Sequence, residues 1–261
     1  MNKYETLNYK VTDRIATITL NRPNEANGMN LDLTTEVAHA AKTCSEDAQV
    51  KAAILTGSGK FFCAGGDVKA MYDGEESAGD IVKKIADQLH IAISIFARMK
   101  APLIAAVNGV AAGAGFSIAA SADLVLASDK SKFTMAYSKI GLSPDGSSSY
   151  FLPRMIGLRK AQELMFTNRV LSAEEAVEWG LINRVVEHDQ LIEQAIALAE
   201  SFVKGSLTAN GAIKQLLVAS YGNDLETQMG LESDTIRNSA NSNDGQEGVA
   251  SFVEKRAPEF S

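Results

Sequence analysis

The chain has 261 residues, of which 46% are hydrophobic and 22% charged, so it can bury a substantial core and is neither disordered nor fibrous. A formal charge of −7, with 25 Lys and Arg spread along the chain, provides no basic field, and we expect no nucleic-acid partner. Two cysteines, Cys44 and Cys63, are too few for a disulfide framework. They favour the cytosol as compartment and are predicted to be small buried residues.

The first twenty residues lack the basic start and apolar stretch of an export signal, so we expect no export. The most apolar region, Ala101 to Ala127, is built largely of small residues and is interrupted by polar ones. Such a stretch favours tight internal packing over a membrane span. We therefore expect a cytoplasmic protein without a membrane partner.

Strand and helix patterns alternate through the first two thirds of the chain. The β-branched segment Arg14 to Leu20 predicts a strand, and a helix is predicted from Leu31 to Cys44. Lys51 to Thr56 and Ala101 to Val107 predict buried strands, separated by a helical pattern from Gly79 to Met99. This recurrence predicts an α/β architecture.

After about residue 191 the pattern is wholly helical. The predicted helices are Leu191 to Val203, Thr208 to Ser220, Asp224 to Asn238 and Gly245 to Lys255. Because no sharp linker separates them from the rest, we interpret residues 1–200 as the core and residues 201–261 as a helical appendage. Its apolar faces are expected to cover either the core or a neighbouring subunit.

Two glycine-rich turns are the candidate chemical features, Gly57 to Asp67 and Asn108 to Ser117. Glycine and alanine allow backbone N–H groups to approach a ligand closely, and two such groups aimed at one oxygen would form an oxyanion hole. Either turn alone is more often only a tight turn. The second turn half-matches a dinucleotide fingerprint, but Ile118 occupies the place of its third glycine and no suitably spaced acidic residue follows.

Four segments together resemble the enoyl-CoA hydratase/isomerase, or crotonase, family over essentially the whole chain. They are LNRPNEANGM from Leu20, FFCAGGDVKAM from Phe61, PLIAAVNGVAAGAG from Pro102 and EGVASFVEKRAPEF from Glu247. The resemblance implies a ClpP-like spiral of ββα units with C-terminal helices packing between subunits of a trimer or a dimer of trimers. It also implies an acyl-CoA thioester substrate, with coenzyme A as part of the substrate and no separate cofactor or metal.

The resemblance also implies roles for particular residues. The backbone N–H groups of Gly66 and Ala114 would form the oxyanion hole. We expect the acyl pocket to be shaped by Phe116, Tyr137 and the variable stretch Tyr72 to Asp80. The residues implied in binding coenzyme A are Glu25, Ala26, Ala64, Asp67 and Val68, together with Phe252 and Lys255 contributed by a neighbouring subunit.

Departures from the family pattern bear on the reaction. Family hydratases use two glutamates to activate water, and those positions here hold Ser117 and Tyr137. Neither a hydroxyl nor a phenol is a carboxylate base at neutral pH. We therefore do not expect hydration by the usual route.

Asp145 is the carboxylate that remains. Its segment, AYSKIGLSPDGSSSYFLPRMIG, resembles the Δ3,Δ2-enoyl-CoA isomerase and 1,2-epoxyphenylacetyl-CoA isomerase branch, where one carboxylate stands at that point. Nearby Tyr137, Leu142, Tyr150 and Phe151 could desolvate it and make it a stronger base. A second interpretation is that Asp145 caps the helix following the Ser-Pro turn, and the two roles are compatible.

The predicted reaction is isomerisation of an enoyl-CoA double bond, with Asp145 moving one proton. One alternative is a 4-chlorobenzoyl-CoA-type dehalogenase, in which Asp145 would be the nucleophile and His90 the base, although a histidine in a helical run is more often structural. A hydratase and a non-catalytic acyl-CoA binder are further alternatives. His39 and His188 have no companions that suggest a metal site or a triad, and we expect them at the surface.

Overall fold

A computed structural model describes residues 4–73 and 76–261. The strands within these ranges are β1 Leu7–Thr12, β2 Ile15–Leu20, β3 Ala52–Gly57, β4 Phe61–Cys63, β5 Leu103–Val107, β6 Val110–Ala112, β7 Leu124–Ser128, β8 Lys132–Thr134, β9 Leu171–Ser172 and β10 Arg184–Val186. The helices are α1 Leu31–Glu46, α2 Val68–Asp73, α3 Ala78–Arg98, α4 Ala114–Ala120, α5 Ser148–Ile156, α6 Leu158–Thr167, α7 Ala173–Glu178, α8 Leu191–Val203, α9 Leu207–Ala219, α10 Leu225–Ala240 and α11 Asn243–Glu254.

Two sheets organise the first two thirds of the chain. The larger has the strand order β1-β2-β3-β5-β7-β10, parallel from β2 onward, and the smaller has the order β4-β6-β8-β9. Three strands of the first sheet are each followed by a short strand of the second: β3 by β4, β5 by β6, and β7 by β8. Helices follow β4 and β6, so the predicted α/β spiral of ββα units is confirmed.

The apolar stripe of α3 shows why the sequence pattern was informative. Ile85, Leu89, Ile93 and Phe96 are buried, and the helix packs along α1. The side chain of Ser77 caps its first turn by accepting a hydrogen bond from a backbone N–H. α3 therefore presents one face to the core and leaves the residues beside that face available to line cavities.

The C-terminal third is helical, as predicted. Ala195 and Ala199 of α8 pack with the apolar face of the larger sheet, and α9 contacts α3. α10 has no buried residue. The division at residue 200 stays a proposal. Among the described helices, none is long and apolar enough to cross a membrane.

Both cysteines are buried free thiols, as predicted from their small number. Burial raises the pKa of the Cys44 thiol and of the Cys63 thiol to about 12. Since the thiolate is the reactive form, neither side chain is a nucleophile at neutral pH.

Candidate active site

The two glycine-rich turns lie against each other. They follow β4 and β6, which pair in parallel, so the same ends of both strands meet. A Cβ atom at Gly65 would lie 3.0 Å from the carbonyl oxygen of Ala112, and one at Gly115 would collide with the carbonyl oxygen of Cys63. Gly65 also has a φ of +103°, which side-chain-bearing residues rarely adopt. The glycines are therefore required for this close approach.

Two backbone N–H groups in these turns are available to a ligand. Gly66 precedes α2, and Ala114 is the first residue of α4. Within the part of the chain that the structure describes, no protein acceptor binds either N–H group. Both residues line the same cavity, as an oxyanion hole requires.

This central cavity has a volume of about 390 Å³. Its walls are the two glycine turns, one side of α3, and the segment between β8 and α5. Aliphatic side chains dominate the lining and Asp145 contributes the carboxylate; the aliphatic residues with larger side chains are Val68, Met71, Val82, Ile85, Leu89, Ile140 and Leu142. The cavity can therefore exclude water from an apolar acyl group beside one charged group.

The Asp145 side chain points to Tyr137 and does not cap the following helix. Its Oδ1 accepts a hydrogen bond of 2.5 Å from the Tyr137 hydroxyl. The N-cap residue of α5 is Ser147, and the backbone carbonyl of Asp145, not its carboxylate, accepts from Ser148. The helix-cap interpretation is therefore wrong, and the carboxylate is available to the cavity.

Tyr137 and Ser117, which stand at the positions of the hydratase glutamates, are hydrogen-bonded to each other. Their hydroxyl oxygens are 3.1 Å apart, and because the Tyr137 proton is directed at Asp145, the single Ser117 proton is shared between the Tyr137 oxygen and the Gly113 carbonyl oxygen at 3.2 Å. Burial, and then the neighbouring Asp145 charge, raises the pKa of Tyr137 far above its usual range. Tyr137 therefore stays protonated and donates to the carboxylate. Sequence reasoning missed this series of hydrogen bonds, because Ser117 and Tyr137 are 20 positions apart and Tyr137 and Asp145 are 8 positions apart.

His90 is exposed and holds the backbone next to Asp145. Its Nε2 accepts a hydrogen bond of 3.1 Å from the Gly146 N–H. Gly146 has a φ of +59°, and a Cβ there would lie 2.6 Å from the Cβ of Ser117 and 3.4 Å from Leu89. The imidazole nitrogen that accepts this bond is consequently not free to take a proton from water.

The residues implied in coenzyme A binding gather around the first turn. The Ala64 N–H donates to the Ala26 carbonyl at 3.0 Å, which joins two of these segments. Asp67 forms an ion pair with Arg22 at 2.9 Å and accepts from the Ala70 N–H at 3.0 Å. Glu25 and Val68, which adjoin Ala26 and Asp67 in the sequence, are exposed.

Asn27 is a positioning residue that sequence reasoning missed. It is fully buried, and its amide group donates to the carbonyls of Ser58 and Phe61 and accepts from the Arg22 N–H. Its place beside Ala26 in the segment LNRPNEANGM was the available signal. Three bonds from one side chain hold the Ala26 turn against the turn that carries Gly66.

Seven predicted site residues do not line the central cavity: Glu25, Ala26, Asp67 and His90, described above, and Phe116, Phe252 and Lys255. Phe116 is fully buried beside Phe133, with ring centroids 5.6 Å apart, so the prediction that it shapes the acyl pocket needs correction. It lies on the core side of α4. Phe252 is 85% exposed on α11, and Lys255 ends that helix. Within one chain neither is brought to the cavity.

The described residues contain no group of three or more His, Cys, Asp and Glu side chains placed to hold a metal ion. His39 is exposed, while the Nδ1 of His188 lies 3.0 Å from the Ser128 hydroxyl. Both histidines thus lie apart from the residues that line the central cavity.

Two free backbone donors and one carboxylate around an apolar cavity, on a spiral of ββα units, define the class of crotonase-fold enzymes that act on acyl thioesters. Residues 10–261 match the model of the enoyl-CoA hydratase/isomerase family. The chain belongs to that family.

Relatives and solved structures agree with this assignment. A 1,2-epoxyphenylacetyl-CoA isomerase of Escherichia coli is 38% identical over 94% of this chain and 94% of its own. A trans-2-decenoyl acyl-carrier-protein isomerase of Streptococcus mutans is 32% identical over 97% and 96%. A solved enoyl-CoA hydratase from a Polaromonas species has a TM-score of 0.93 at 29% identity, covering 98% of this chain and 99% of that one.

Proposed function

We propose that this enzyme moves the double bond of an enoyl-CoA thioester from the 3 to the 2 position, with Asp145 carrying the proton. The observation that carries this proposal is the place of Asp145 in a cavity that Gly66 and Ala114 also line. Ser117 and Tyr137 occupy the positions of the hydratase glutamates, so Asp145 is the one carboxylate among the described lining residues of this cavity.

The reaction follows from the acidity of a proton next to a thioester. Asp145 takes a proton from C2, and the electrons of that C–H bond move toward the carbonyl oxygen, where the N–H groups of Gly66 and Ala114 stabilise the negative charge. One such preorganised donor contributes about 3 to 4 kcal/mol in a well-studied acyl-transfer site. Asp145 then returns a proton to C4, and the double bond lies between C2 and C3.

The hydrogen bond from Tyr137 gives the two oxygen atoms of the Asp145 carboxylate different roles. Oδ1 is held by the phenol, and among the described residues no group donates to Oδ2. Oδ2 is therefore the atom we assign to proton transfer. One carboxylate is sufficient because it removes one proton and delivers one proton, with no addition of water.

The names of two relatives support isomerisation, since the proteins of Escherichia coli and Streptococcus mutans are both named isomerases. The dehalogenase alternative needs His90 as a base, and the bond from Gly146 to its Nε2 argues against that role. The hydratase alternative lacks its two carboxylates. Retention of one carboxylate in the lining of an apolar cavity favours catalysis over simple binding of an acyl-CoA.

The assembly we propose is a homotrimer or a dimer of trimers. Phe252 and Lys255 lie in the exposed C-terminal helical region, which allows a neighbouring subunit to present them to coenzyme A. A lysine there would suit a phosphate of the substrate. The proposed compartment is the cytosol, which suits the two unpaired thiols.

Replacing Asp145 tests the proposal. Incubation of the wild-type enzyme with a 3-enoyl-CoA should produce the conjugated 2-enoyl thioester, followed by its ultraviolet absorbance. Asp145→Asn should lower kcat by about 100- to 10,000-fold, because the general base is removed while the cavity shape is kept. Coenzyme A binding, measured by calorimetry, should persist.

Asp87→Asn is the matched control, since Asp87 is exposed and paired with Lys83 on α3. Its kcat should equal that of the wild type. An undiminished rate in Asp145→Asn would refute the assignment. Rapid formation of a 3-hydroxyacyl-CoA from a 2-enoyl-CoA would instead indicate a hydratase, and solvent oxygen-18 entering Asp145 during turnover would indicate the dehalogenase route.

A further inference from the structure

A second cavity lies on the other side of the segment that carries Asp145. It has a volume of about 460 Å³ and is bounded by the last turns of α3, the residues that precede α5, and α5 itself. Asp145 belongs to the lining of this cavity and to that of the central cavity. The proposed proton carrier therefore stands in a wall shared by two chambers.

The two chambers differ in chemical character near Asp145. Ile85, Leu89 and Leu142 are among the aliphatic residues of the central cavity. The second cavity has a mixed lining, in which the polar residues His90, Ser94, Arg98, Ser147, Ser149 and Tyr150 stand beside the apolar residues Ile93, Ala97, Pro144, Phe151 and Val218. A cavity of this size with polar groups in its walls accommodates several water molecules, since each occupies about 30 Å³ in the liquid.

Hydrogen bonds fix the segment Asp145–Gly146, which separates the two cavities, from both sides. On the α3 side the His90 ring accepts from the Gly146 N–H, and on the substrate side Tyr137 donates to Asp145 Oδ1. The Gly146 backbone has little room to move, because Leu89 and Ser117 lie against it. Asp145 is thus fixed between an apolar cavity and a cavity that also carries polar groups.

We propose that the second cavity connects Asp145 to solvent, so that the proton it removes from the substrate exchanges with water before a proton is delivered to C4. This inference rests on the proposed isomerase function. In the first step the C2–H bond breaks and an O–H bond forms on Asp145. Water in the second cavity then takes that proton and supplies another, and the supplied proton forms the new C4–H bond.

The test is isomerisation of an unlabelled 3-enoyl-CoA in deuterium oxide, stopped at low conversion so that the reverse reaction does not add label. Mass spectrometry and proton NMR measure the deuterium at C4 of the product. Exchange through the second cavity predicts that most product molecules carry one deuterium at C4. Direct transfer from C2 to C4 predicts unlabelled product.

Two variants of Ser94 test whether the deuterium found at C4 depends on the second cavity. The Ser94 hydroxyl accepts from Arg98 at 2.9 Å, so both Ser94→Trp and Ser94→Ala remove this bond, but only Ser94→Trp fills space. We expect Ser94→Trp to lose label at C4 at a nearly unchanged rate, and Ser94→Ala to keep the label. Ser149→Trp fills the same cavity from α5 and serves as a second variant if Ser94→Trp does not fold.

The outcomes separate the inference from the function on which it rests. Conjugated product without deuterium would overturn the solvent connection and leave the isomerase function intact. Label that both tryptophan variants retain in full would overturn the route through this cavity. Absence of conjugated product from the wild-type enzyme would overturn the isomerase function and this inference together.

Discussion

The side chain of Tyr137 is not a carboxylate base, but it provides a hydrogen-bond donor to the Asp145 carboxylate. At a position where family hydratases carry a glutamate, its phenol lies between the Ser117 hydroxyl and the Asp145 carboxylate. Burial keeps the phenol protonated by raising its pKa, so it acts as a donor and not as a base. The substitution therefore eliminates one carboxylate and orients another.

Tyr137→Phe should lower kcat by about 10- to 100-fold with little change in KM, because a hydrogen bond to a charged group contributes about 1.5 to 3 kcal/mol. The ring, and with it the cavity shape, is kept. Steady-state kinetics with a 3-enoyl-CoA measure the effect. Ser117→Ala leaves the donor to Asp145 in place and should reduce kcat less. Equal losses in the two variants would contradict an orienting role for the phenol.

One buried ion pair connects three elements around the core. Lys214 of α9 is buried, and its ammonium group donates to Asp123 Oδ2 at 2.6 Å and to the carbonyls of Phe96 at 2.7 Å and Ala101 at 3.1 Å. Asp123 also accepts from the Leu103 N–H at 2.7 Å. α9 is thereby tied to the end of α3 and the start of β5, although burial lowers the pKa of Lys214 and opposes its charge.

Lys214→Met should reduce the free energy of unfolding by about 2 to 3 kcal/mol, because two buried carbonyls and a partly buried carboxylate lose their donor. Chemical denaturation at one fixed protein concentration measures this. Lys204→Met, at an exposed position after α8, makes the same chemical change and should stay within about 0.5 kcal/mol of the wild type. A similar stability of the two variants would contradict the anchoring role.

The assembly that we propose would place subunit contacts on the last two helices. Exposed apolar side chains are frequent on them: Leu225, Met229, Ile236, Val249, Phe252 and Val253 are each between 56% and 85% exposed. Apolar surface of this extent is typical of an interface between subunits. The same helical region carries the two residues proposed to reach a neighbour's coenzyme A.

Val253→Glu should dissociate the proposed trimer and raise KM for the acyl-CoA, because a charge enters an apolar interface and the neighbouring Phe252 and Lys255 are withdrawn. Light scattering after gel filtration gives the mass, and kinetics give KM. Val253→Ala adds no charge and should remain assembled. An assembled Val253→Glu variant, or a monomeric wild type, would contradict this arrangement.

Local sequence was sufficient for β2, β3 and β5, for α1, α3 and the C-terminal helices, and for the two turns, but not for the short strands of the smaller sheet. The stripe Ile85, Leu89, Ile93 and Phe96 has a helical period, and burial of one face follows from it. The glycines of the turns are required by contacts between paired strands, and their spacing matches a known family. Gly66 and Ala114, whose proposed role is carried by backbone groups, could therefore be named as candidates from the sequence.

Side-chain roles that depend on distant partners could not be predicted. Asp145 matches the N-cap pattern, yet its carboxylate bonds to Tyr137, and Phe116 lies two residues after Ala114, yet it faces the core. Residue type, period and motif order indicated the family, three strands of the larger sheet, several helices and the candidate backbone donors. The tertiary structure alone decided where Asp145 points and that it borders two cavities, because those facts depend on how α3, α4 and the segment before α5 pack together.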